Sequence, residues 1–237
     1  MRTSLARRVV AEFMGTAFLV AAVIGSGIMA DRLSNGNAAL ALLANTVATG
    51  AALVALILAF GQISGAHFNP VVTIMDALEK GLPWSETPHY LVAQVLGGIT
   101  GAVVAHLMFA LPVISQSHHA RSGPPQVFSE FVATFGLVSV IWGCSRLRSN
   151  AVAFAVGAYI TAAYWFTAST SFANPAVTIA RCISDTFAGI RPDDVPWFVA
   201  VQFLGGFAAT MVFRWLVPNL QVGAKEVLLA HNVEQNH

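Results

Sequence analysis

Asn69-Pro70-Val71-Val72-Thr73-Ile74 returns in the second half of the chain as Asn174-Pro175-Ala176-Val177-Thr178-Ile179, alike at five of six places. In each copy Asn stands where a helix N-cap belongs and Pro where the first helical residue belongs, the pairing that starts a helix. Both copies lie inside strongly apolar sequence. Two helices that begin within a membrane point to a transport pathway, because freed backbone at that depth needs a cavity or a protein interior around it.

The composition agrees. The chain has 237 residues, 56% of them hydrophobic and 10% charged, with a mean hydropathy of +0.69. Soluble domains carry about 25% charged residues, far more than this chain has to solvate a surface. A formal net charge of +1 gives no basis for binding nucleic acid. Cys144 and Cys182 form no disulfide framework, lack metal-ligand spacing and read as small buried apolar residues. The apolar run after Arg7-Arg8 carries helix-packing small residues and belongs to the repeat, so it reads as part of the mature protein rather than a cleaved signal. There is no nucleophile–base pairing, no phosphate-cradling loop and no cofactor motif, which argues against an enzyme and predicts no cofactor or metal.

Six apolar stretches approach the roughly 20 residues that span a bilayer. They lie near Val9–Ala30, Ala38–Phe60, His89–Ala110, Gln126–Cys144, Asn150–Ala168 and Val195–Val217. Gly61–Lys80 and Ser169–Arg191, which hold the two Asn-Pro pairs, read as re-entrant segments that descend as coil and return as half-helices. Flanking motifs repeat as well: Ala11-Glu12-Phe13-Met14-Gly15-Thr16 answers Ser129-Glu130-Phe131-Val132-Ala133-Thr134, and Gln94-Val95-Leu96-Gly97-Gly98 answers Gln202-Phe203-Leu204-Gly205-Gly206. Three spans per half force the second half to enter the membrane inverted. The expected organisation is one transmembrane channel domain over 1–237, with repeats at about 8–110 and 126–217 and a polar tail at 218–237. One side of the membrane collects Arg2, Arg7, Arg8, Lys80, Arg146, Arg148 and Lys225. The other has Arg32, Arg121 and Arg191, partly balanced by Asp31, Asp193 and Asp194, so both termini are expected to be cytoplasmic in a plasma (inner) membrane.

Glu12, Gly65-Ala66-His67-Phe68-Asn69-Pro70, Gln94, Glu130, Asn174-Pro175-Ala176 and Gln202, in this order and spacing, resemble the major intrinsic protein family of aquaporins and aquaglyceroporins. The resemblance covers roughly residues 8 to 217. It implies an all-α membrane fold of six transmembrane helices and two re-entrant half-helices in an inverted repeat. It also implies a homotetramer in the lipid bilayer, one pore per chain, that passes small neutral solutes without a cofactor.

By that resemblance Asn69 and Asn174 sit at mid-membrane. Facing half-helix N-termini, about half a positive charge each, disfavour cations there, while the Asn amides donate to a permeant hydroxyl. Val71 departs from the usual Asn-Pro-Ala, and Val177 stands where most of the family has the filter Arg. The filter positions map to Thr49, Ser171 and Val177, with Tyr164 or Ala162 as the fourth and Tyr164 preferred. Such a set predicts an uncharged, wider constriction that suits water, glycerol-like polyols and undissociated arsenous acid, the last by analogy with metalloid-permeable bacterial channels. Arg181 lies four residues after Val177 on the same helical face and is the alternative group to narrow the pore. Glu12 and Glu130 read either as acceptors that hold the re-entrant loops or as a proton relay; the relay, with His67, would make a proton-coupled transporter. His67 is expected to line the cytoplasmic half of the pore, with pH sensing as an alternative role. Gln94 and Gln202 are expected to brace the half-helices. Trp84, Trp197 and Trp215 mark membrane interfaces, and His118-His119 read as a solvated loop without acidic neighbours.

Overall fold

The computed structural model describes residues 3–147 and 149–217, all helix, turn and loop without strand. Its helices are α1 (Leu5–Leu33), α2 (Ala38–Ser64), α3 (Pro70–Leu78), α4 (Thr87–Met108), α5 (Pro124–Leu147), α6 (Val152–Phe166), α7 (Pro175–Arg181) and α8 (Val195–Leu216). α1, α2, α4, α5 and α8 are long and apolar enough to cross a bilayer. α6 is apolar but has only 15 residues, fewer than the sequence reading assigned. Ser149–Ala151 wind as a 3-10 turn before it. After it Thr167 turns extended, and the next backbone N–H, that of Ala168, donates to Ser129 Oγ outside the helix.

α3 and α7 are the half-helices, and each starts as its sequence dictates. The Asn69 side-chain oxygen accepts from Val71 N at 2.9 Å, and that of Asn174 accepts from Ala176 N and Val177 N at 3.0 and 3.3 Å. Pro70 and Pro175 occupy the first turn, where a missing N–H costs nothing. The preceding coil is left-handed at matched places: Ala66 and Phe68 in one copy, Ser171 and Ala173 in the other, with φ of 49, 49, 50 and 48°. Such backbone is costly for residues with a Cβ and persists only where surrounding bonds enforce it.

α1 packs along α2 and α4, α5 packs along α8 and α6, and α2 meets α6 between the two groups. Glycines set the close approaches: a methyl on Gly97 would run into the Phe13 carbonyl, and one on Gly205 into that of Phe131. Gly206 on α8 leaves room for Val71, whereas its counterpart Gly98 on α4 lies against Ala176 of α7. The larger residue of the Asn-Pro-Val triplet is thus absorbed by the helix behind it. Outward faces carry exposed apolar residues such as Phe18, Leu204 and Phe207, as a lipid-facing surface requires. Trp84, Trp197 and Trp215 are exposed at or near helix ends.

Candidate functional site

Glu12 on α1 is fully buried and accepts four hydrogen bonds: Ser64 Oγ at 2.6 Å, His67 N at 3.0 Å, Phe68 N at 2.7 Å and Gln94 Nε2 at 2.8 Å. Glu130 on α5 does the same for the second loop, accepting from Phe172 N, Ala173 N and Gln202 Nε2 at 2.8, 2.9 and 2.7 Å. Gln94 and Gln202 reach on to Thr73 and Thr178, which in turn bond the Asn69 and Asn174 carbonyls. Each half therefore closes a chain from carboxylate to loop to Gln to Thr to motif Asn. Neither carboxylate lines the cavity between the halves.

The half-helices meet head to head. Asn69 Nδ2 donates to the Ala173 carbonyl at 2.7 Å, and Asn174 Nδ2 donates to the Phe68 carbonyl at 2.8 Å. Each amide keeps a second hydrogen for a passing hydroxyl. Both Asn side chains border one cavity between the halves. Leu19, Val23, Leu137 and Ile141 form apolar wall around it. A few donors on an apolar wall let a small polar solute exchange water for protein contacts without binding tightly.

At one end the cavity is bordered by Thr49, Tyr164, Ser171, Val177 and Arg181. Tyr164 Oη donates to Thr49 Oγ1 at 3.3 Å. Ala162, the alternative to Tyr164, is exposed and outside the lining. Arg181 is 2% exposed, its Nε donates to the Ala188 carbonyl and its guanidinium carbon lies 3.4 Å from the Phe172 ring centroid. Arg181, the alternative group to narrow the pore, lies one helical turn after Val177 on α7 and borders the same cavity.

Residues 1–151 and 143–236 match the model of the major intrinsic protein family. The chain belongs to the major intrinsic protein family. It is 55% identical to aquaglyceroporin AqpS of Rhizobium meliloti over 213 residues, covering 90% of this chain and 91% of that one. Aquaporin NIP1-4 of rice, Oryza sativa, is 31% identical over 91% of this chain and 77% of its own. The aquaglyceroporin of Plasmodium falciparum shares the fold, with a TM-score of 0.67 at 23% identity over 92% of this chain and 100% of that one. This major intrinsic protein is a multi-pass membrane protein with the all-α aquaporin fold.

At its other end His67 borders the cavity, with Nδ1 3.1 Å from Thr73 Oγ1 and Nε2 3.6 Å from Asp76 Oδ2. Sequence reasoning passed over Asp76 and Glu79. Both are buried on or beside α3; Glu79 accepts from Arg214 Nε at 2.6 Å, while Asp76 Oδ1 and Glu79 Oε2 have no hydrogen-bond partner among the described residues. Their signal was two acids inside a short apolar half-helix segment, in a chain where charges are scarce.

Arg121 was also passed over. Counted as a loop charge, it is buried, donating from its side chain to the Gly189 and Ser169 carbonyls at 2.8 and 3.1 Å and to Thr170 Oγ1 at 3.2 Å. Burial pulls its guanidinium down to about 10, which leaves it charged at neutral pH. Arg8, another counted loop charge, is buried in a two-bond pair with Glu86 at 2.7 and 2.8 Å. Cys144 and Cys182 are free but half-buried rather than buried. His118 does have an acidic neighbour, since Asp185 Oδ2 lies 3.1 Å from its Nδ1, yet no cluster of three metal-binding side chains occurs among the described residues. Arg2, Arg148, Lys225 and the tail at 218–237 lie outside the described residues.

Proposed function

We propose that this chain is a passive channel for small uncharged solutes, water and glycerol-sized polyols first among them. The observation that carries this reading is the cavity bordered by both Asn69 and Asn174, whose amides face each other across the junction of α3 and α7. The Asn pair and the half-helix N-termini oppose cations at mid-membrane, and the Thr49, Tyr164, Ser171 and Val177 side chains select at the Arg181 end. A relative named as an aquaglyceroporin, at 55% identity over nearly the whole chain, supports polyols beside water. Undissociated arsenous acid, a neutral trihydroxide of similar size, is the third solute proposed. Glu12, Glu130, Gln94 and Gln202 serve as braces, not as reacting groups, and no enzymatic activity, cofactor or metal is proposed. Four such chains in a bacterial inner membrane, both termini cytoplasmic, complete the reading; Arg7, Arg8 and Lys80 on one side support that orientation.

The test is stopped-flow uptake of water, glycerol and arsenous acid into proteoliposomes, with wild type beside Val177→Arg. Wild type is expected to pass all three. Val177→Arg adds a second cation to the same end and should cut glycerol and arsenous acid more than water. An unchanged solute profile in Val177→Arg would remove Val177 from the filter.

A further inference from the structure

Two buried guanidinium groups, those of Arg181 and Arg121, converge at the Arg181 end of the cavity without a direct ion pair among the described residues. The guanidinium carbons of Arg181 and Arg121 lie 3.4 and 4.9 Å from the centroid of one ring, Phe172. Neither Arg forms an ion pair among the described residues, whereas Arg191 nearby in sequence contacts Asp193 and Asp194 at 3.7 and 3.1 Å. Glu130, the carboxylate of that half, accepts from Phe172 N, Ala173 N and Gln202 Nε2 and is in direct contact with neither Arg among the described residues. Arg121 spends its donors on the loop, but Arg181 spends only Nε, on Ala188, and its two terminal nitrogens have no partner among the described residues. Ser171 borders the same cavity, 2% exposed, and its hydroxyl has no hydrogen-bond partner among the described residues. Water can satisfy such donors, but only an anion also offsets the buried charge.

We propose that this end of the cavity binds one small monovalent oxyanion of the carboxylate type, held by the terminal nitrogens of Arg181 and the Ser171 hydroxyl with Arg121 as the second charge, and that its occupancy obstructs the pore. A guanidinium presents two parallel donors that match two carboxylate oxygens, which favours a carboxylate over a spherical halide. The site rests on the channel reading for its consequence, since a bound anion stands in the path of neutral solutes. It does not rest on that reading for its existence.

Sodium formate is the probe, present on both sides of proteoliposomes at matched osmolarity against sodium chloride, with glycerol uptake as the readout. Uptake should fall hyperbolically with formate and be slowed ~2-fold when formate equals its dissociation constant. Arg181→Gln should take up glycerol without that slowing, and Ser171→Ala should shift the inhibition to higher formate. Formate should also raise the thermal unfolding temperature of the detergent-purified wild type but not of Arg181→Gln, a readout independent of transport. Should Arg181→Gln fail to fold, the Ser171→Ala shift in both readouts decides. No slowing and no thermal shift relative to chloride, or equal effects in wild type and the variants, overturns the site. Absent glycerol uptake with an intact thermal shift would sink the channel reading and leave the site standing.

Discussion

Asp76 and Arg181 stand seven residues after their motif Asn (76 − 69 = 7; 181 − 174 = 7), one on α3 and one on α7. The residues they face, His67 and Phe172, each precede that Asn by two (69 − 67 = 2; 174 − 172 = 2). The two slots are equivalent in the repeat and opposite in charge. Arg181 suits its place, since a cation in the last helical turn is stabilised by the helix dipole. Asp76 does not: it lies near the C-terminal end of α3 with one oxygen unpartnered and Glu79 nearby. The difference teaches where duplication is held and where it is released. The Glu, Gln and Thr that carry the re-entrant backbone and its left-handed pairs recur in both halves, though the Ser64 bond to Glu12 has no counterpart at Glu130. The halves diverge at this slot, where Arg181 borders the cavity and Asp76 lies behind His67.

The shared part should be the harder to change. Glu12→Leu and Glu130→Leu each strand at least two buried backbone N–H groups, at about 1–3 kcal/mol apiece. Both variants are expected to lose the folded channel, read as aggregation on size exclusion and loss of glycerol uptake. If one half tolerates the loss and the other does not, the braces are not equivalent. Overpacking comes next. Gly206→Ala drives a methyl into Val71 and should cost about 1–3 kcal/mol, while Gly206→Ala with Val71→Ala should recover most of it. Thermal unfolding of the two variants measures the difference, and no rescue would show that Val71 is not what Gly206 accommodates.

The diverged part predicts smaller shifts. Asp76→Asn replaces a buried, poorly partnered carboxyl with a neutral amide of the same shape and should stabilise by about 1 kcal/mol or leave stability unchanged. A clear drop in unfolding temperature would show that the His67–Asp76 contact is a true ion pair. The smallest effect lies on the surface, where hydrogen bonds from His118 hold the Asp185 carboxyl below its usual range. A depressed carboxylate adds stability above its unfolded value and loses it as pH falls through the folded one. His118→Ala keeps the backbone donor but removes the ring, so Asp185 should move part of the way back up in an NMR titration.

Most of the frame was legible because its signals are local. Asn-Pro declares a capped helix start, Glu inside an apolar run must find donors, and Gln-x-x-Gly-Gly marks a helix that is approached closely. Asn69, Asn174 and His67 followed from placing those signals in register, Thr49, Ser171 and Val177 from the resemblance to the family's filter positions, and all six border the cavity. What was not legible depends on partners far away in sequence. Arg121 looked like a loop charge because its acceptors lie 48 to 68 positions on. Asp185 meets His118 across 67 positions. The length of α6 was overestimated since apolar composition does not reveal that the Ala168 N–H after it donates to Ser129 Oγ.

The central claim is that the cavity past Asn69 and Asn174 conducts neutral solutes passively. Its most direct test is glycerol uptake by wild-type proteoliposomes before and after ionophores collapse the proton gradient and membrane potential. The account predicts rapid uptake, well above protein-free liposomes, with a rate that the ionophores leave unchanged. Uptake no faster than the bare bilayer, or uptake that disappears with the gradients, would contradict it.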